Sequence, residues 1–281
     1  HEGTYLERVT MKSGVALSAV GEVYIDATGI TGFGSCIEIQ GVHDVLVEGF
    51  HIINGGASPT WTNVEGIAVR DSNGGNGGTG SYNITIRNCT FRNILPKPAT
   101  PNSLGIPIII YSYSDSRIGE TGCHHVLVEN CDFRDCNPAN QVGIFVGYLN
   151  IVGNCEYIEV KNNYFYHDYD LYTSLASCIE MGGNYAPAWP ATPRFCTISG
   201  NTFEAPYPAI HQGQSVYLTN CHDCIVERNH IKNWSIGPVV AAEAGDMNEF
   251  TSYNIIIRRN LIQSYYSSVI VGAFSSFYMP V

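Results

Sequence analysis

Six side chains combine the chemistry of a hydroxyl-rich ligand site: Tyr111, Tyr113 and Trp189 as aromatic rings, Arg117, Glu180 and His211 as polar and ionisable partners. Aromatic faces stack on sugar rings, and carboxylate and guanidinium groups hydrogen-bond hydroxyls, so together they would make a glycan groove. Glu38, Arg70, Asp115, Tyr185 and Tyr207 project from the same kinds of stretch. The bland alternative is that these rings cover apolar surface beneath loops. Positions 111 to 211 can meet only if the chain returns repeatedly to one face.

Other clusters offer less. Cys221-His222-Asp223-Cys224 has the spacing of half a zinc or redox site, but no second Cys-x-x-Cys accompanies it, so no metal site is expected. The glycine-rich stretch 71–81 lacks the Gly-Lys-Ser/Thr of a phosphate loop and reads as a surface loop. Asn83, Asn88 and Asn233 head Asn-x-Ser/Thr triplets and are N-glycosylation acceptors wherever the machinery exists.

The element that must position the six is a repeat. Val45/Val47, Ile84/Ile86, Val126/Val128, Ile158/Val160, Cys196/Ile198, Cys224/Val226 and Ile255/Ile257 are inward pairs with the period of a strand. Five residues beyond the second member stands Ile52, Phe91, Phe133, Phe165, Phe203, Ile231 or Ile262. A second apolar triplet precedes each rung: Ile37–Ile39, Ile67–Val69, Ile108–Ile110, Ile144–Val146, Ile179–Met181, Val216–Leu218 and Val239–Ala241, with Val269–Val271 closing the series. Such a unit cannot bury its apolar side alone, so copies stack about 4.8 Å apart as a parallel β-helix.

Residues Tyr82–Phe91 and Glu156–Phe165 resemble the rungs of right-handed parallel β-helix proteins of the pectate-lyase-like class, and Gly3–Val9 resembles their first coil. The resemblance implies an all-β, single-stranded right-handed solenoid with loop excursions. It spans 1–281 as one domain, with an N-terminal cap expected upstream. The class includes lyases, hydrolases, epimerases, tailspikes and adhesins. Its polysaccharide-processing members use a base with a neutralising cation or Ca²⁺, or a pair of carboxylates. This chain has no Trp-Ile-Asp-His, no Gly-His-Gly and no Asp-Pro-His, so no catalytic residue is carried over, and no motif indicates Ca²⁺ or another cofactor.

Composition narrows the partners. A formal charge of −11 argues against nonspecific nucleic-acid binding, and no apolar run is long enough to span a membrane. Low charge with abundant Gly and Tyr points to an extracellular or cell-surface protein, and the resemblance implies one that binds a polysaccharide, with cleavage as a further step. The alternative is a structural or adhesive subunit of a fibre, stalk or tailspike-like assembly. That reading draws on outward apolar stripes at Leu46, Leu127, Ile225 and Ile256, and at Ile109, Phe145, Tyr217, Val240 and Ile270.

Three further columns are expected. Cys89/Cys131, Cys123/Cys155 and Cys196/Cys224 stack as buried thiols, because parallel Cβ vectors suit a disulfide badly. Glu48, Arg87, Glu129, Lys161, Ser199, Glu227 and Arg258 form an outward charge ladder, and Asn163, Asn201, Asn229 and Asn260 an amide ladder at a corner.

Overall fold

Alternation of apolar residues with polar ones makes short strands, and the turns between them send the chain round a closed path. In a computed structural model the described residues are 1–29, 34–55, 63–74, 78–94, 104–112, 120–134, 136, 147–167, 177–182, 192–206, 213–234, 236–243, 252–263 and 269–274. They build three parallel sheets, A and B of nine strands and C of eight, apart from one 3-10 turn at Ala27–Gly29. Each coil visits A, then B, then C, and every strand but the two at the ends of each sheet pairs with its counterparts one coil earlier and later. This is the expected right-handed parallel β-helix.

The core confirms the column arithmetic. Phe91, Phe133, Phe165 and Phe203 pair in register on sheet A, are wholly buried, and stack with centroids 4.7, 4.6 and 5.0 Å apart. At the C-to-A corner Asn163 Nδ2 donates to Asn201 Oδ1, Asn201 Nδ2 to Asn229 Oδ1 and Asn229 Nδ2 to Asn260 Oδ1, each at 3.0 Å. The same oxygens accept the backbone N–H of the preceding asparagine at 2.9 Å, so one amide satisfies groups in two coils. All ten cysteines are free and buried. Glu48, Arg87, Glu129 and Lys161 pair in order across sheet C, with Arg87 Nε 2.9 Å from Glu48 Oε1.

Two register expectations are corrected. Ile144 and Val146 lie outside the described residues, as does Phe145, and their places in the core column are held by Leu149 and Ile151, which pair with Ile108 and Ile110 below and Ile179 and Met181 above. Both triplets fit a period of two, and only stacking separates them. Leu218 pairs with Val240 rather than with Ala241, so Val240, expected outward, joins the core and Val239, expected inward, faces outward against Tyr217, Ile236 and Ile270. An apolar run from Val239 to Ala242 carries no alternation to fix its register.

The corner before sheet C turns through one residue in the left-handed region in every coil. Asp44, Asn83, Asp223 and Asn254 occupy it at φ of 51–55°, as do His125, Tyr157 and Phe195 at 53°, 53° and 55°. Asn and Asp tolerate that conformation, whereas a bulky residue there is costly, on the scale of roughly 1–2 kcal/mol.

Candidate functional site on the outer face of sheet B

Sheet B strands follow the sites of the long excursions in sequence, and their outward side chains line up from coil to coil. Alternation about the core pair puts Glu38, Ala68, Ile109, Asn150, Glu180, Tyr217 and Val239 in one outward column. Gln40, Arg70, Tyr111, Val152, Gly182 and Thr219 form the next. Tyr111 and Glu180 therefore share this face, with the strand Gly147–Gly153 between them. Tyr113, Arg117, Trp189 and His211 lie outside the described residues.

The first three coils carry a charged network on this face. Arg70 donates through Nη1 to Glu38 Oε1 at 3.0 Å and through Nη2 to both oxygens of Glu65. Glu38 Oε2 also accepts from Ser35 Oγ and Arg8 Nη2, each at 2.6 Å. Glu38, Glu65 and Arg70 are buried, while Arg8 is 44% exposed. Burial pushes the Glu65 carboxyl up to about 7 against the opposing pull of Arg70, and the neighbouring Glu38 adds to the rise. Gly66 makes this placement possible, since a Cβ there would stand 2.5 Å from Pro107 O and 3.1 Å from the Phe91 ring. Every oxygen of the carboxylate pair accepts at least one hydrogen bond, so the network clamps coils one to three as well as charging the face.

Toward the other end the face becomes less charged. Asn150 closes a turn on Gly147, accepting its N–H at 2.9 Å and donating to its carbonyl at 2.7 Å. Ser177 Oγ donates to Gln214 Oε1 at 3.0 Å. Glu180 is half-buried and pairs in register with Tyr217, whose phenol is pushed up by burial first and by the Glu180 charge second. Tyr217 then meets the apolar patch of Ile236 and Val239. An acidic and basic end, a central amide and carboxylate, and an aromatic and apolar end thus follow one another along the axis.

Sequence reasoning placed Glu38 and Arg70 on this face but missed Glu65. Its signal was present as Val64-Glu65-Gly66-Ile67, a strand interrupted by the glycine that the packing demands. Asn83, Asn88 and Asn233 sit at left-handed turns with φ of 52°, 55° and 57°. Their amide nitrogens donate to Asp44 Oδ1, Glu48 Oε1 and Ala205 O respectively. Among the described residues no three His, Cys, Asp or Glu side chains are grouped to hold a metal ion.

With this geometry in hand, the fold can be compared with known proteins. No family model matches the sequence, and no curated protein does. Solved structures do match. A surface adhesin of Streptococcus pneumoniae, PfbA, superposes with a TM-score of 0.58 at 14% identity, over 93% of this chain and 62% of its own. The tailspike protein of Escherichia coli bacteriophage HK620, solved with a pentasaccharide, gives 0.53 at 14% identity, over 96% and 40%. This chain is similar to parallel β-helix proteins and spans less than two thirds of either one's length. Among the described residues no helix is long and apolar enough to cross a membrane.

Proposed function

We propose that this protein is a surface or secreted β-helix that binds a polysaccharide along the outer face of sheet B. The observation that carries this reading is the ordered column from Glu38 through Asn150 and Glu180 to Tyr217, with Arg70 and Tyr111 beside it. It lines up charged, amide and aromatic groups at one coil spacing, with Tyr111 and Glu180 partly exposed and Glu38, Arg70, Asn150 and Tyr217 buried behind them. The pentasaccharide held by the similar tailspike and the surface setting of the similar adhesin support the reading.

Cleavage is a finer step of the same proposal. Glu38 and Glu65 form a carboxyl pair on this face, but both are buried and held in ion pairs by Arg70 and Arg8, which leaves neither free to act as acid or base on a sugar. Incubating the protein with a panel of neutral and anionic polysaccharides, with and without Ca²⁺, separates the cases. Binding without new reducing ends or unsaturated products makes it a binder. Reducing ends alone make it a hydrolase, and unsaturated-product absorbance makes it a lyase. Binding to no member of the panel refutes the proposal.

The structural alternative draws on the apolar outer column of sheet C, where Leu46, Leu127 and Ile225 are half-buried and Ile256 is exposed. Concentration-dependent assembly of the purified protein without any glycan is its signature.

A further inference from the structure

The corner before sheet C carries a second surface feature that the sheet B reading does not use. Two adjacent columns of rings run there. His43, Tyr82 and His124 stack at 4.9 and 5.0 Å. His125, Tyr157 and Phe195 stack at 4.9 and 5.2 Å, with His124 and His125 joined through their Nδ1 atoms at 2.8 Å. Phe195 meets His222 edge-on, and His222 stacks on Tyr253 at 4.6 Å. The rings form a continuous stripe along the solenoid.

Two independent observations set this stripe apart. Among the described residues, the large apolar side chains left exposed belong to the first turns or the last coil, with two exceptions in the body of the solenoid: Tyr157 at 45% and Phe195 at 42%. Those two, with His125, also hold the left-handed turn position that Asp and Asn hold in the flanking coils. There Asn83 donates to Asp44 and Asn254 to Asp223, each at 3.0 Å, so an amide-and-carboxylate solution to the same turn is at hand. Strained, exposed aromatics in three successive coils, where an unstrained polar residue serves elsewhere, mark a position kept for something other than folding.

The geometry points to a second glycan-contact strip at this corner, centred on His125, Tyr157 and Phe195, that holds a linear neutral polysaccharide lying parallel to the solenoid axis. Stacked faces are taken up by neighbouring rings, so the strip offers ring edges and the polar tips of Tyr157 and the histidines, repeated at the coil spacing. A chain of sugar rings, with hydroxyls and C–H edges recurring along its length, matches that repeat. The strip is one or two side chains wide, far from the roughly 800 Å² per partner of a stable protein interface. A formal charge of −11 disfavours an anionic polymer. Glu156 and Arg194, beside the rings, already pair with each other.

This inference rests on the protein being a glycan binder and adds a second site. Its test is affinity electrophoresis in native gels containing hydroxyethyl cellulose, with alginate as the anionic control, using the full chain and the double variant Tyr157→Asn/Phe195→Asn. Asn is the residue the same turn uses in other coils, so the variant should fold with an equal or higher Tm. The expected result is retardation of the wild type by hydroxyethyl cellulose and its loss in the variant. Tyr111→Ala, run alongside, reports on sheet B separately. If Tyr111→Ala abolishes retardation while the double variant keeps it, the strip is overturned and the sheet B site stands. A variant with lowered Tm and unchanged retardation makes the ring ladder structural and also overturns it. So does a wild type that hydroxyethyl cellulose does not retard, or one that self-associates through the strip and becomes monomeric in the variant.

Discussion

Replacing Phe133 by alanine removes the centre of the phenylalanine column and gives the most quantitative check on the stacking. The ring is wholly buried between Phe91 and Phe165, with centroids 4.7 and 4.6 Å away and planes within 4° and 7°. Truncation loses the transfer free energy of the ring and leaves a cavity, which costs about 3–5 kcal/mol for a buried phenylalanine. Each lost aromatic contact is worth about 0.5–1.5 kcal/mol beyond burial, which places the expected loss in the upper part of that range. Parallel strands above and below hold the cavity walls apart, so relaxation should recover little. At about 2 °C per kcal/mol for a chain of this size, Tm should fall by roughly 8–10 °C. Urea denaturation followed by circular dichroism measures the loss directly, with Phe133→Leu as the milder control. A loss below about 1.5 kcal/mol would mean that the column is loosely packed and that the inward register is wrong.

Other consequences follow from the corners, the thiols and the charged network. Asn201→Ala strands the Asn163 N–H and the Val160 carbonyl in buried positions, and at about 1–3 kcal/mol for each unsatisfied group the urea midpoint should fall clearly. Thiol titration should find slow labelling of the native protein and ten reactive groups after denaturation, since all ten cysteines are buried and free; rapid native labelling would contradict the column assignment. The raised Glu65 carboxyl favours the folded state in its protonated form. Its contribution is fully present below the ordinary carboxylate value of 4.5 and is lost as pH rises through about 7, an effect of up to about 3 kcal/mol. Depressed carboxyls such as Asp132, where burial pulls upward but the bonds and charges of Arg134 and Arg92 win, act in the opposite sense and withdraw stability as pH falls through their folded values. Stability should therefore peak on the mildly acidic side of neutral, and Glu65→Gln should flatten the alkaline limb of a Tm-against-pH series.

The repeat was readable in the sequence because its columns use distinctive residues. Four phenylalanines, four asparagines and an alternating charge series each recur at one place in the coil, and the structure stacks each of them in register. Where a stretch is apolar at every position, as from Val239 to Ala242, alternation vanishes and only the neighbouring coil decides which side chain enters the core. Ile144-Phe145-Val146 and Leu149-Asn150-Ile151 pose the same problem within one connection. Of the six candidate glycan-contact residues, the structure places Tyr111 and Glu180 on one face. Glu65 escaped notice because its partner Arg70, which also binds Glu38 across the sheet, lies along a strand whose start is hidden by a proline- and glycine-rich connection. The left-handed aromatic turn escaped because Asp, Asn, His, Tyr and Phe share one backbone conformation there, and residue type alone does not reveal it.

The central claim, a glycan face on sheet B, is tested most directly by titrating a polysaccharide that the wild type binds into Tyr111→Ala and Glu180→Ala by isothermal calorimetry, with Glu48→Gln in the charge ladder as the control. Both sheet B variants should lose affinity while their Tm changes little, and Glu48→Gln should bind normally, because its partly exposed ion pair with Arg87 is worth no more than about 1 kcal/mol to the fold. Normal binding by both sheet B variants would contradict that claim.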